Sequence, residues 1–295
     1  MTIEIRTPTT EEAPEIRALL EEHAQAAFGE PELSEEEVRS WFTRPKLSIR
    51  LAVRGGAPVG YLDIYADDSG RFPVDIRTLD AGAAGVLVEE AERLAREQGA
   101  ETVRGFVQGD EPVLRGVLEQ SGWKPIRYQF QMRIDLEDAV PEPIWPEGLT
   151  PRNPREDEHE RVYEANQEAF ADHWDFHRIP FDEWLAFAVN DHSYEPSLWW
   201  LVDDGDELAA FAVNSWHSSG DPHFGWIGIL GVRRPWRRRG LATALLRHSF
   251  RDFRERGATR VGLGVDGQNT TGAVRLYESV GMHVARRSDI YEQTL

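Results

Sequence analysis

One stretch, residues 226–253, constrains the fold more than any other. Residues 226–232 are an apolar run of β-branched residues and glycine, which predicts a strand. Residues 233–239 carry five arginines around Pro235 and Trp236. Ala242, Leu246, Phe250 and Phe253 then recur at helical spacing, with Arg and His between them. The order is strand, short basic turn, helix. Gly240 stands at the helix start, where backbone N–H groups have no intrahelical partner. Those donors and the positive end of the helix dipole favour an anion. Gly240 and Ala242 lack bulk, so a phosphate can approach the backbone closely, and Arg237, Arg238 and Arg239 add charge.

The spacing Arg237-x-x-Gly240-x-Ala242 resembles the Q/R-x-x-G-x-G/A signature of the GNAT acetyltransferases. An Arg-rich nucleic-acid patch is the rival reading, and the downstream sequence decides against it. Residues 261–265 predict the next strand, and Asn269 follows. Ala273, Leu276, Tyr277, Gly281 and Met282 then resemble the second half of the family signature, N-x-x-A-x-x-L-Y-x-x-x-G-F. One extra spacer follows the Asn, and Met282 replaces the Phe.

The resemblance implies acetyl-CoA as co-substrate. Its pyrophosphate would meet the N–H groups of Arg237, Arg238, Arg239, Gly240, Leu241, Ala242 and Thr243. Its pantetheine arm would lie between the strands 227–232 and 261–265, beside Leu230 and Val232. Gly228 and Gly231 mark a bulge that opens this splay, or serve packing. Asn269 reaches the pantetheine amide or a neighbouring backbone group, or caps the following helix. Tyr277 gives its proton to the departing thiolate, since a phenol near pKa ~10 is protonated at neutral pH. Some family members, mycothiol synthases among them, carry a carboxylate base where this chain has Trp226. His217, Asp221 and His223 on the preceding connection are the substitutes. The acceptor pocket should come from the aromatic stretch 170–184. Phe170, Phe181 and Trp184 fit a helical core there. Trp174, Asp175 and His177 lie where the helical pattern breaks and, with Trp226, are the substrate-binding candidates.

The first half repeats this order of elements. Gly82 and Gly240, Ala84 and Ala242, and Val103 and Val261 are each 158 residues apart. The fold class is therefore α/β (α+β): two tandem GNAT folds, each a mixed, mostly antiparallel sheet flanked by helices. A parallel, splayed strand pair lies at the cofactor site. The expected domains are 1–138, a degenerate non-catalytic repeat, and 149–295, the catalytic one. The proline-rich stretch 139–148 links them. Where the second half has its arginines, the first has Leu79-Asp80-Ala81-Gly82. Asp110 or Glu111 falls opposite Asn269, and Leu118 opposite Tyr277.

The net charge of −19 repels nucleic acid and anionic membranes. It suits a cationic acceptor, or serves solubility alone. With no cysteine, there is no disulfide, thiolate metal site or Cys acyl-enzyme. The nine histidines show no HExxH spacing, so no metal is expected. The N-terminus lacks a signal-peptide apolar region, and the longest apolar runs are too short to span a membrane. The expectation is a cytoplasmic monomer that moves acetyl from acetyl-CoA to a primary amine on a small molecule. The alternatives are a protein N-terminal or lysine acetyltransferase, and a non-catalytic acyl-CoA-binding sensor or scaffold.

Overall fold

The computed structural model describes residues 2–136, 140–189 and 193–295. The first strand, Ile3–Arg6 (β1), leads into a short turn of helix and then Ala13–Phe28 (α1). Spacing predicts the cap of this helical region at Thr10. The structure puts it at Thr9, because Glu12 then lies three residues on and its carboxylate accepts from the Thr9 N–H at 2.9 Å. Glu35–Trp41 (α2) starts at Ser34, whose hydroxyl accepts from the Glu37 N–H at 3.1 Å. Leu47–Arg54 (β2) and Ala57–Tyr65 (β3) form an antiparallel hairpin. Arg71–Arg77 (β4), Ala81–Glu97 (α3), Thr102–Gln108 (β5), Pro112–Gln120 (α4) and Lys124–Asp135 (β6) follow. Apolar alternation does not predict β4, because Pro73 and Asp75 break it. Asp75 is accommodated by Arg77, whose Nε donates to it at 2.6 Å.

The second half runs Pro151–Arg152 (β7), His159–Phe170 (α5), Phe181–Ala188 (α6), Trp200–Asp204 (β8), Glu207–Trp216 (β9) and Phe224–Val232 (β10). Leu241–Glu255 (α7), Arg260–Asp266 (β11), Ala273–Ser279 (α8) and His283–Thr294 (β12) complete it. Spacing predicts two closing strands, 283–286 and 289–293; they form the single strand β12.

The chain divides into two units, Met1–Gln129 with Arg286–Leu295, and Phe130–Ala285. The division expected at 139–148 differs from this. The chain's end returns to the first unit, where β12 pairs antiparallel with β5 from Ser288↔Gln108 to Thr294↔Thr102. From Phe130 onward, β6 belongs to the second unit. Residues 137–139, which hold the expected boundary between the first domain and the linker, lie outside the described residues. Residues 140–148 contain no helix or strand, as three prolines there require.

In the first unit the strands run β1-β2-β3-β4-β5-β12, with only β4 and β5 parallel among the pairs described. One core packs α3 and α4 on the sheet through Leu87, Val88, Leu114 and Trp123. Another packs α1 and α2 through Ile16, Leu20, Val38 and Trp41. In the second unit the order is β6-β11-β10-β9-β8-β7, and β10 and β11 are parallel. Leu246, Phe250 and Phe253 of α7 pack on Ile227, Val261 and Leu263. Val162 and Tyr163 of α5 and Trp184 of α6 pack with Phe211. Among the described residues no helix is long and apolar enough to cross a membrane, and no cluster of His and carboxylates could hold a metal ion.

Candidate active site

The parallel pair β10–β11 is in register from Phe224↔Arg260 to Ile227↔Leu263 and stops there. At the same point β10 slips against β9: Ile227 faces Asn214 and Ile229 faces Val213, leaving Gly228 as the extra residue of a bulge. Gly231 serves packing instead, since a Cβ on it would lie 2.3 Å from the buried Phe211 ring. Beyond the bulge a cleft of about 810 Å³ opens. Its walls are β10 from Ile227 to Val232, the start of α7, β11 from Leu263 to Asp266, and α8 as far as Tyr277. Ala169, Phe170 and His173, at and after the end of α5, close the remaining side.

The start of α7 is built for an anion. Gly240 is its N-cap, at φ 88°, a left-handed conformation that side chains resist. The first backbone bond runs from the Ala244 N–H to the Gly240 carbonyl, at 3.0 Å. The N–H groups of Leu241, Ala242 and Thr243 precede that bond, and all three residues line the cleft. The arginines of the turn also tie it to neighbouring elements, and Arg237 and Arg238 both line the cleft. Arg237 donates to the Val232 and Ala169 carbonyls at 3.1 and 3.0 Å and pairs with Asp172 at 2.9 Å, latching the turn to the end of α5. Arg234 joins Asp172, Arg233 pairs with Glu168 and Glu207, and Arg239 faces Asp204 outside the cleft. Among the described residues Arg238 alone of the five has no carboxylate partner, and it lines the cleft.

Tyr277, nine-tenths buried, stands in the same cleft, and burial pushes its phenol up to about 12. It is protonated at any pH of interest. Asn269 lines the cleft while its Oδ1 accepts from the Thr271 N–H at 2.7 Å. The side-chain oxygen is thus held in a local turn before α8, and its amide N–H₂ is left as the donor. Leu230 and Val232 line the cleft as well.

The three bases suggested by sequence are not in the cleft lining. His217 is buried, with Nδ1 bonded to Ser219 at 2.9 Å. Asp221 accepts from Arg260 at 3.0 Å, and His223 Nδ1 meets the Gly257 carbonyl at 2.8 Å. All three brace the β9–β10 connection. Trp226 packs with His217, ring centroids 5.1 Å apart. Trp174, Asp175 and His177 lie in the connection after α5, with Trp174 exposed and Asp175 at φ 62°, and none lines the cleft. Their neighbour His173 does. A lone loop histidine has no spacing signal, so sequence reasoning passed over it; the same holds for Asp266.

At the equivalent place in the first unit the polar groups pair with one another. The register of β4 with β5 ends at Val74↔Gly105. Past that point Arg77, almost fully buried, pairs with Glu32 at 2.9 Å, and Arg286 joins Glu32 at 2.8 Å. The Asp110 N–H donates to the Ala27 carbonyl at 3.2 Å, and His23 pairs with Glu111, so the end of α1 is sealed to the turn after β5. Asp80 caps α3, accepting from the Ala83 N–H at 2.8 Å, and Arg54 neutralises it at 2.9 Å. Leu118 is buried where a tyrosine would be needed.

Residues 159–282 match the acetyltransferase (GNAT) family. A mycothiol acetyltransferase of Nocardiopsis dassonvillei is 30% identical, over 89% of this chain and 87% of that protein. A mycothiol acetyltransferase of Beutenbergia cavernae is 31% identical, over 77% and 76%. Among solved structures, a GCN5-related N-acetyltransferase from Sphaerobacter thermophilus superposes with a TM-score of 0.82 at 30% identity, covering 99% of this chain and 95% of that one. A tandem GNAT protein from the clavulanic acid biosynthesis pathway gives 0.77 at 17% identity, over 99% and 98%, a likeness of fold. The splayed strand pair, the open helix start and the buried tyrosine thus occur within a fold and a sequence shared along most of the chain with these proteins, and the chain belongs to the GNAT acetyltransferases as a tandem, two-fold member.

Proposed function

We propose that the second unit binds acetyl-CoA in the cleft and passes its acetyl group directly to a primary amine on a small molecule. The observation that carries this reading is one continuous cleft joining the free N–H groups at the start of α7 to Tyr277. The donor set fits the group. Leu241, Ala242 and Thr243 offer backbone donors to a pyrophosphate, with Arg238 beside them. Leu230 and Val232 offer backbone groups along the strand edge opened by the bulge, and Asn269 offers its amide N–H₂. Bound acetyl-CoA supplies an activated acyl carbon held on sulfur. Tyr277 protonates the departing sulfur. A thiol ordinarily ionises near ~8.5, but the burial that raises the phenol acts on a thiolate in the same cleft too. With no cysteine in the chain, direct transfer needs no thiol acyl-enzyme.

The first unit, on this reading, holds no cofactor and was retained for structure. The protein acts as a cytoplasmic monomer. Relatives named mycothiol acetyltransferase support a small-molecule acceptor. Thiol release from acetyl-CoA, followed over a panel of small amines and amine-bearing peptides, tests the reading. Turnover with a small primary amine is expected. Binding of acetyl-CoA with no release above background for any amine would favour a sensor or scaffold instead.

A further inference from the structure

The cleft has an acid in Tyr277, but the reaction also needs a group to take the amine's proton. His217, Asp221 and His223 are engaged elsewhere. We propose that His173 is that proton acceptor, with Asp266 steadying the imidazolium that forms; this rests on the acetyl-transfer reading given above. His173 follows α5, lines the cleft and leans on Phe170, ring centroids 4.4 Å apart. Neither ring nitrogen has a hydrogen bond among the described residues, so a lone pair is free to accept. Asp266 stands on the opposite wall, at the end of β11. Between Leu263 and Val265 on that wall, Gly264 has, among the described residues, no atom within 4 Å of where a Cβ would be.

The charges around the ring set its state. Burial lowers the imidazole below its ordinary 6.5. Asp266 opposes this from β11, Arg237 adds to it from the turn before α7, and Asp172 opposes it from the ring's own turn. Arg238 and Arg275 line the cleft as further cations. The ring is therefore neutral at neutral pH and can act as a base. The protons balance. His173 takes one from the amine nitrogen as the N–C bond forms. Tyr277 gives one to sulfur as the C–S bond breaks. One proton then passes from imidazolium to phenolate through water in the cleft.

The test is His173→Gln with two readouts. The rate of thiol release should fall about 100- to 10,000-fold, and the acidic limb of the kcat/KM profile should disappear. Calorimetry should show acetyl-CoA affinity unchanged within about threefold, which a structural role would not give. Independently of any variant, NMR titration of the unmodified protein should place the His173 midpoint below 6.5. Asp266→Asn should lower it further. A His173→Gln enzyme with the parent's rate and acidic limb would overturn the proposal, as would a His173 midpoint above ~7. If the parent itself binds acetyl-CoA but acetylates no amine, the reading of the cleft fails first and this role fails with it.

Discussion

Gly240→Asp should set a carboxylate at the open helix start of the second unit, where the first unit carries Asp80. An Asp at an N-cap accepts from the N–H of the second or third helical residue, as Asp80 does with Ala83 at 2.8 Å. In the variant those donors belong to Ala242 and Thr243, two of the three groups assigned to pyrophosphate. A hydrogen bond to a charged group contributes ~1.5–3 kcal/mol, so losing two costs about 3–6 kcal/mol. A carboxylate about 5 Å from a phosphate charge adds ~3 kcal/mol of repulsion at an effective dielectric of ~20. Even the lower figure weakens binding about 100-fold. The fold should tolerate the change. A left-handed φ costs a side chain ~1–2 kcal/mol, and among the described residues a Cβ at Gly240 meets nothing within 4 Å. Calorimetric titration with acetyl-CoA, paired with a thermal melt, reads both. Gly240→Ala, with the same strain and no charge, should lose much less affinity. A folded Gly240→Asp protein that binds acetyl-CoA within tenfold of the parent would refute the cradle.

Tyr277→Phe should reduce kcat about 100- to 10,000-fold while leaving acetyl-CoA affinity near that of the parent; full turnover would remove the phenol from the chemistry. Gly231→Ala should destabilise the second unit by ~1–3 kcal/mol through overpacking against Phe211, and an unshifted denaturation midpoint would contradict the packing described. In the first unit, burial and then Asp75, its direct cross-strand neighbour, push Asp63 up to about 7, although the Tyr61 hydroxyl donates to it at 2.7 Å. A carboxyl raised in the folded state holds its proton there longer than when unfolded. Its contribution is fully present at low pH and is lost as pH rises from about 4 to about 7. Asp63→Asn should therefore flatten the fall of melting temperature between about pH 4 and about pH 7; an unchanged slope would show that Asp63 titrates normally.

What could be read from the sequence was what lies close together in it. The run from Trp226 to Leu246 holds its own strand, turn and helix start, and the geometry of Gly240 follows from local backbone rules. Tyr277 was legible through its spacing from Asn269 and Gly281. Pairings across long separations were not. Nothing in the local sequence shows that Asp172, 65 residues before Arg237, pairs with both Arg237 and Arg234. The return of β12 to β5 has no local signal, since a strand's alternation does not name its partner. β4 was hidden because Pro73 and Asp75 interrupt its pattern, and Asp75 depends on Arg77 rather than on apolar burial. His173 and Asp266 come to line one cleft only through the fold.

On the proposed reading this tandem chain has one acetyl-CoA site, in the second unit. Calorimetric titration of acetyl-CoA into the full chain tests it most directly. One site per chain is the predicted result, because Asp80 caps α3 and Arg77, past the end of the β4–β5 register, is paired with Glu32 in the first unit. Two equivalent sites per chain would contradict it.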